Sequence, residues 1–301
     1  MKIMRFIGIV FALFSAGSPS DTSAQDSGKK YKVYMVSNSH LDTQWRWDVK
    51  ATIDDYLYNT AVQNLALLEK YPHYVFNFEG AVKYEWIKEY YPHLFERIRK
   101  FVADGRWNIS GASFEANDPN MPSSESFIRN ILLAQEFYKK EFGIKSKDMF
   151  LPDCFGFSQV MPTLGHHCGL IGFSTQKLSW RTEPLVGDSK TPFPIGLWEG
   201  VDGARIMVAL EPGRYSWNEF PEGDLSANEE LAESARKSPF GIAYRYYGNK
   251  LANGAGDHGG SALPRSIQLL EEGITNGKGP VQLVSATSSQ LYEDYMPYGN
   301  H

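Results

Sequence analysis

The feature that most constrains the fold is the alternation of short apolar, β-prone runs with longer amphipathic runs along the chain. The short runs predict buried strands, and they are residues 33–36, 74–78, 107–110, 149–151, 170–174, 206–210 and 281–285. The longer runs predict helices, and they are residues 53–71, 84–102, 125–142, 227–237 and 264–276. Helices between strands at this spacing indicate parallel pairing through right-handed crossovers. The predicted class is therefore α/β, and the length suits one large barrel or two small domains.

The first residues of the sequence are typical of a targeting segment that is not part of the folded domain. Lys2 and Arg5 give a positive start, and residues 6–14 form an apolar run too short to span a bilayer. Thr22-Ser23-Ala24 fits a small-x-small cleavage site, so residues 1–24 are predicted to be a signal peptide. An uncleaved anchor is the alternative. With cleavage, residues 25–301 form the mature domain, and we expect it to be secreted or periplasmic and free of the membrane.

Composition excludes some partners. The formal net charge is −5 and is not gathered into a basic block, which argues against a nucleic-acid partner. Aromatic residues make up 14% of the chain, which weakly favours a sugar-binding cleft. Cys154 and Cys168 can pair in an oxidising compartment or stay as free thiols, and the sequence leaves both states open. It also leaves open whether the chain forms a homo-oligomer.

The first chemical motif follows the first predicted strand. His40 and Asp42 are two residues apart, so on an extended backbone their side chains share a face. They lie at the strand end where α/β barrels place their active sites. Imidazole nitrogen and carboxylate oxygen suit zinc, and Trp45 offers a flat apolar face on which a sugar ring can stack. A surface hydrogen-bond pair is the alternative to a metal site.

A second motif places a carboxylate after another predicted strand. Asp153 follows residues 149–151 and is flanked by the backbone constraints of Pro152 and Gly156. We expect it at the same rim of the sheet as Asp42. A carboxylate beside a metal stays ionised and can serve as ligand or nucleophile. The alternative is a helix N-cap for the segment 160–168.

A third motif is the glycine-rich segment 253–260. Its glycines allow the backbone to approach a ligand closely. Asp257 and His258 are the side chains in it that can do acid–base chemistry. The alternative is a flexible loop with a helix cap.

Together with these residues, a series of motifs in a fixed order resembles the catalytic N-terminal domain of glycoside hydrolase family 38, the retaining α-mannosidases. The subgroup it is most similar to is the bacterial and cytosolic type. After His40-Leu41-Asp42 and Trp45, the motifs are YEWIKEYYPHLFERIRKFVADGRW at 84–107, EAND at 115–118, MPSSES at 121–126, LPDCFGFS at 151–158, TQKLSW at 175–180, WEGVDGARI at 198–206 and GDHGG at 256–260.

The resemblance implies an irregular (β/α)7-type barrel of parallel strands, with Zn²⁺ as cofactor and a mannose-containing glycan as substrate. It implies that His40, Asp42 and Asp153 are zinc ligands and that Asp153 is also the nucleophile. It implies that Trp45 is the platform under the mannose. Asp257 is the implied acid/base, and His258 is the competing candidate for that role. The implied substrate contacts with weaker support are Glu115, Lys177, Arg181 and His258.

The sequence departs from the family pattern at its end. Family members take a fourth zinc ligand, a His, from a helix downstream of the barrel, where a helical bundle and β-sandwich domains follow. This chain ends at His301, so we expect an isolated catalytic domain, a fragment or half of a split gene, with low activity. His258 is an alternative fourth ligand. We also expect exposed apolar surface at residues 267–270 and 292–301, where downstream domains would pack.

Two other functions stay open at this stage. One is a metal-dependent polysaccharide deacetylase, which uses a similar barrel with Asp and His ligands but needs no Asp nucleophile. The other is a non-catalytic sugar-binding remnant.

Overall fold

The computed structural model describes residues 31–179, 191–238, 240–251, 254–255 and 257–296, in which strands alternate with helices. The strands are β1 (Tyr31–Asn38), β2 (Phe76–Glu79), β3 (Trp107–Ser110), β4 (Asp148–Phe150), β5 (Gly172–Ser174), β6 (Ile195–Glu199), β7 (Arg205–Ala209), β8 (Ile242–Gly248), β9 (Lys250–Leu251), β10 (Gly254–Ala255) and β11 (Val281–Ser285). The helices are α1 (Val49–Ala51), α2 (Tyr58–Lys70), α3 (Ala81–Tyr90), α4 (Pro92–Ala103), α5 (Ser124–Phe142), α6 (Met161–His167), α7 (Glu229–Arg236), α8 (Pro264–Asn276) and α9 (Gln290–Tyr295). A π-helical segment, Thr52–Leu57, joins α1 to α2.

Strand β1 is the centre of the larger sheet. It pairs in parallel with β8 on one side, and with β11 and then β2 on the other. Strand β2 pairs in parallel with β3. Residues 33–38 of β1 are buried, and the side chains of residues 33–36 enter two different apolar clusters on the two faces of the sheet. A parallel strand that is covered on both faces needs a continuous apolar run, and this run is why β1 could be predicted from the sequence.

The second sheet contains β4, β5 and β7 in parallel, with β6 antiparallel to β7. The expectation of parallel strands is wrong at β6, which is antiparallel to β7 and was not among the predicted strands. A tight turn explains it: Gly200 donates its N–H to the Ala204 carbonyl, and Gly203 adopts a positive φ of 82°. The WEGVDGARI motif is therefore a β-hairpin.

Irregular segments join the two sheets at both edges. Next to β3, Ala112 donates its N–H to the carbonyl of Asp148 at 2.9 Å. Next to β8, Tyr246 and Gly248 donate their N–H groups to the carbonyls of Pro212 and Trp217 at 2.8 and 2.9 Å. The described strands thus form an α/β fold with mainly parallel strands, as predicted, although single hydrogen bonds and not ladders join its two sheets.

Two helical predictions needed adjustment. The run 84–102 is two helices, α3 and α4, and not one. Tyr91 separates them with φ −134° and ψ 56°, because Pro92 disfavours helical geometry in the residue before it. The predicted helix 53–71 begins earlier, at Val49, where the Asp48 side chain accepts a hydrogen bond from the Ala51 N–H.

The carboxyl ends of the central strands share a polar layer. Asn38, Asn77 and Asn108 stand side by side in the register of β1, β2 and β3. Asn108 donates to the Asn77 side chain at 2.8 Å, and Asn77 donates to the Ser37 and Ala286 carbonyls. Asn38 and Asn77 are buried, and the amide nitrogen of each donates hydrogen bonds to backbone carbonyls, which lowers the cost of burying these polar groups.

The expectation of exposed apolar surface near the end of the chain is wrong for the described residues. Ile267 and Leu270 are 0% and 1% exposed, and Tyr292 is fully buried. Tyr292 lies on α9, against Gly172 of β5, and donates its hydroxyl to the carbonyl of Phe173 at 2.9 Å. The aromatic ring fills space beside the second sheet that the sequence pattern did not reveal.

The structure bears on the predictions about the cysteines and the membrane, but not on those about the first residues and Arg181. Cys154 and Cys168 are both free, and Cys154 is buried. Among the described helices, none combines the length and the apolar character needed to cross a bilayer. The predicted signal peptide, residues 1–24, and Arg181 lie outside the described residues.

Asp148 at the start of β4 generates a stability prediction. Burial raises the pKa of this carboxyl to about 6, although hydrogen bonds from Gly111 and Ser146 partly oppose the shift. Stability from the neutral form is fully present below the unfolded pKa of about 4 and is lost as the pH rises through about 6. Relative to Asp148→Asn, the wild type should therefore lose up to about 3 kcal/mol of unfolding free energy between about pH 4 and 7.

Urea unfolding of both proteins across this pH range measures the difference. The exposed Asp55 supplies the control, since Asp55→Asn should change stability by less than about 0.5 kcal/mol at every pH. A wild-type and Asp148→Asn pair with parallel pH profiles would contradict the prediction.

Candidate active site

Residues from distant parts of the chain meet at the carboxyl edge of β1. His40 and Asp42 follow β1, and Asp153 follows β4. The Nε2 atom of His40 lies 3.2 Å from Oδ1 of Asp42 and 3.7 Å from Oδ2 of Asp153. His40 is 4% exposed, whereas the side chains of Asp42 and Asp153 are 29% and 15% exposed, so a buried imidazole meets carboxylates that reach solvent. The predicted placement of both carboxylates at one rim matches this geometry.

Asp257 joins the same cluster. His40, Asp42 and Asp257 each offer one ligand atom, and these atoms all lie within 4.8 Å of one another. Two backbone hydrogen bonds of 2.9 Å explain the approach: Asp42 donates to the carbonyl of Asp257, and Gly259 donates to the carbonyl of His40. They flank an antiparallel bridge between Leu41 and His258.

Glycine is required at position 259 for a reason different from ligand approach. Gly259 has a positive φ of 75°, and a Cβ there would lie 2.4 Å from Oγ1 of Thr60 and 3.2 Å from Oγ of Ser39. Neighbouring Gly260 donates its N–H to the same Thr60 hydroxyl at 2.8 Å. The glycines therefore let this loop lie directly against β1 and α2.

Tyr215 is a site residue that the sequence reasoning missed. Its hydroxyl donates to Oδ1 of Asp257 at 2.8 Å, and its ring centroid lies 5.2 Å from that of His40. Burial, with the nearby carboxylates of Asp153 and Asp257, raises the pKa of Tyr215, so the hydroxyl keeps its proton. Tyr215 lies in the irregular segment after β7. Because that segment has no helical or strand periodicity, the sequence pattern gave no sign of a functional residue there.

Lys177 pairs with the other carboxylate. Its ammonium contacts Oδ1 of Asp153, and its side chain is 2% exposed. It also lies 4.5 Å from the ring centroid of the half-exposed Phe155. Burial raises the pKa of Asp153, while His40 and Lys177 act in the opposite direction and favour the carboxylate. Lys177 was expected to contact substrate, and the structure places it against the expected nucleophile.

A buried ion pair lies behind His40. Oε1 of Glu79 lies 3.8 Å from Nδ1 of His40 and accepts a hydrogen bond from Nζ of Lys83 at 3.0 Å. Burial opposes the charge of Glu79, but Lys83 and His40 outweigh it and lower the pKa of Glu79 to about 2. Glu79 ends β2 just as His40 and Asp42 follow β1, so the same strand-end rule could have found it.

The remaining predicted site residues in the described part of the chain are Trp45, Glu115 and His258. Trp45 is 60% exposed, as a stacking platform would be. Glu115 accepts a hydrogen bond from the next residue, the Ala116 N–H, and burial raises its pKa. The ring of His258 stacks on that of Trp47, with centroids 4.4 Å apart and planes 26° apart. His258 thus packs against Trp47. Among the described residues, the metal-capable group that contains His40 and Asp42 is completed by Asp257, and not by the expected Asp153 or the alternative His258.

The donor set fits a metal ion. Both ring nitrogens of His40 are buried and lack a hydrogen-bond partner in the described part of the chain. In a tetrahedral site with bonds of about 2 Å, ligand atoms lie about 3.3 Å apart. The separations of 3.2 and 3.7 Å from His40 to Asp42 and Asp153 bracket that value. Imidazole nitrogen with carboxylate oxygens is a donor set that zinc accepts.

Residues 30–295 match the family model described as the glycosyl hydrolases family 38 N-terminal domain. The chain is 31% identical over 276 residues to alpha-mannosidase G of Dictyostelium discoideum, covering 92% of this chain and 24% of that protein. It is 32% identical over 265 residues to alpha-mannosidase 2C1 of Homo sapiens, covering 87% and 24%. The chain therefore spans about a quarter of the length of these relatives.

Solved structures share the fold. An alpha-mannosidase from Enterococcus faecalis V583 superposes with a TM-score of 0.67 at 22% identity, over 90% of this chain and 29% of that one. A candidate polysaccharide deacetylase from Mycobacterium smegmatis superposes with a TM-score of 0.53 at 12% identity, over 93% and 95%. At these identities the likeness concerns the fold alone.

The protonation of His40 generates a prediction about metal binding. Burial alone would lower its pKa, but the carboxylates of Asp42, Glu79 and Asp153 outweigh burial and raise it to about 10. A metal must therefore displace a proton from His40 at neutral pH. We expect zinc affinity to rise by up to about tenfold per pH unit between about pH 6 and 8, with about one proton released.

Calorimetric titration with zinc chloride in two buffers of different ionisation enthalpy counts the protons. His40→Ala should abolish tight binding, whereas substitution of the exposed His93 by Ala should leave it unchanged. Tight binding by His40→Ala, or a wild-type affinity that is flat with pH, would contradict the assignment.

Proposed function

We propose, from the premise that the chain belongs to glycosyl hydrolase family 38, that it is the catalytic domain of a zinc-dependent retaining α-mannosidase. Its substrate would be a terminal α-mannosyl group of a glycan. The observation that carries the proposal is the meeting of His40, Asp42, Asp153 and Asp257 at one strand edge. The names of the two relatives, both alpha-mannosidases, support it.

Asp153 is the proposed nucleophile. One of its oxygens contacts Lys177, which favours the ionised carboxylate and fixes its orientation. The carboxylate would attack the anomeric carbon as the bond to the leaving oxygen breaks, forming a glycosyl ester. Water would then attack the same carbon and release Asp153, so that two inversions give net retention.

Asp257 is the proposed general acid/base. In the first step it would give its proton to the leaving oxygen, and in the second it would take a proton from the attacking water. The Tyr215 hydroxyl donates a hydrogen bond to Oδ1 of Asp257, which restrains the orientation of the carboxyl group. Because Asp257 also lies within ligand reach of His40 and Asp42, its role must be separated from metal binding by experiment.

His40, Asp42 and Asp153 are the proposed zinc ligands. When bound, zinc would supply a Lewis acid for hydroxyl oxygens of the sugar. The exposed indole of Trp45 would stack against the sugar ring beside this centre.

A deacetylase is less well supported than a mannosidase. The fold of a deacetylase candidate is similar, but that reaction gives no role to a carboxylate nucleophile paired with a buried lysine. A non-catalytic sugar-binding remnant is tested by the activity measurements below.

We also propose that residues 25–301 alone are weakly active. The matched region is about a quarter of its relatives, and three protein ligands leave zinc with positions that further regions can fill. We propose in addition that residues 1–24 direct export, so that the domain works outside the cytoplasm.

The nucleophile assignment predicts the effect of Asp153→Asn. Hydrolysis of 4-methylumbelliferyl α-mannoside with added zinc should fall by at least about 10³-fold, because the amide cannot form the glycosyl ester. Asp55→Asn should retain wild-type turnover.

The retaining mechanism predicts the stereochemistry of the wild-type reaction. Proton NMR of the first-formed sugar released by the wild-type protein should show the α anomer, and a β anomer would refute the retaining mechanism.

The acid/base assignment predicts a dependence on the leaving group. In Asp257→Asn, the turnover of an aryl mannoside with a poor leaving group should fall by about 10²-fold or more. The turnover of a dinitrophenyl mannoside should fall far less, because its leaving group needs no protonation. Zinc affinity should stay within about threefold of wild type. Uniform loss across leaving groups, with affinity lowered more than tenfold, would make Asp257 a zinc ligand instead.

A further inference from the structure

The buried pair of Glu79 and Lys83 is not explained by the catalytic roles above. Glu79 is 1% exposed and Lys83 is fully buried. Nζ of Lys83 donates to Oε1 of Glu79 at 3.0 Å, and the same oxygen lies 3.8 Å from Nδ1 of His40. The opposite ring nitrogen, Nε2, faces Asp42 and Asp153. His40 therefore stands between the expected metal position and a buried carboxylate.

The local backbone is built around this pair. Gly80 separates β2 from α3 with a φ of 90°, and a Cβ there would lie 3.2 Å from Cε of Lys83. The first N–H groups of α3, those of Ala81 and Val82, donate to the carbonyls of Ser113 and Phe114. The first turn is thereby anchored, and the lysine side chain folds back over the glycine toward Glu79. The arrangement holds the carboxylate behind His40 with little freedom to move.

We infer that Glu79 is a positioning residue for His40 and that Lys83 holds Glu79 in place, an inference that rests on the proposed zinc site. Nδ1 of His40 has no hydrogen-bond partner among the described residues, and the Glu79 carboxylate faces it. The separation of 3.8 Å is about 1 Å longer than a hydrogen bond. If the two groups approach to hydrogen-bonding distance when metal binds, Glu79 would keep the proton on Nδ1 and leave the Nε2 lone pair to the metal.

A purely structural role predicts something different. Buried ion pairs can often be replaced by apolar groups of similar size without loss of stability. If the pair served the fold alone, removing both charges would leave zinc binding intact. If Glu79 positions His40, zinc affinity must fall even where stability is kept, by about 10- to 100-fold for a lost partner of a metal-binding histidine.

The test compares Glu79→Gln, Glu79→Asp and the double variant Glu79→Gln/Lys83→Met in the full chain. Zinc affinity is measured by chelator competition, and the stability of the metal-free protein by urea unfolding. Glu79→Gln should be less stable, because it leaves Lys83 buried without a countercharge. The double variant should recover the wild-type midpoint but bind zinc at least about tenfold more weakly. Glu79→Asp keeps the charge and withdraws the carboxylate, so it should fold and also bind zinc more weakly.

The exposed pair Arg97–Glu69 supplies the matched control. Arg97→Met/Glu69→Gln should leave both zinc affinity and stability close to wild type. The inference is overturned if Glu79→Asp, or the double variant where it folds, binds zinc within threefold of wild type while His40→Ala loses binding. If His40→Ala binds zinc like wild type, the proposed zinc site itself is wrong and the inference falls with it.

Discussion

Two backbone hydrogen bonds hold the candidate site together. Asp42 donates to Asp257, and Gly259 donates to His40, so the segment after β1 that contains His40 and Asp42 is joined to a loop more than 200 residues away. Each bond contributes only about 1 kcal/mol net. Their larger effect is geometric, because they fix which side chains face the cleft. A side chain at Gly259 would meet Thr60 and prevent this pairing.

The second constraint on the site is charge. Carboxylates crowd around His40 in surroundings that disfavour ionisation, and burial raises the pKa of Asp153. Lysines offset this crowding: Lys177 contacts Asp153, and Lys83 pairs with Glu79. A divalent cation beside His40 would add further positive charge where the acidic groups meet. The buried lysines and the metal-capable group are therefore parts of one electrostatic arrangement.

Much of the fold could be predicted because buried parallel strands need continuous apolar runs. The strands at Trp107–Ser110 and Val281–Ser285 have the predicted bounds. Strand Ile242–Gly248 was not predicted from the sequence, although it pairs along nearly all of β1. The burial of Tyr292 was not predicted either, because what an aromatic ring packs against depends on elements distant in the chain.

The sequence by itself determined which chemical groups stand at the strand ends, since His40, Asp42 and Asp153 each follow a recognisable strand. Only the tertiary structure decided their partners. It set Lys177 against Asp153 and brought the Tyr215 hydroxyl to Asp257. The physical reason is that periodicity reports which face of an element is buried, whereas contacts between side chains depend on how separate elements pack and where irregular loops cross them.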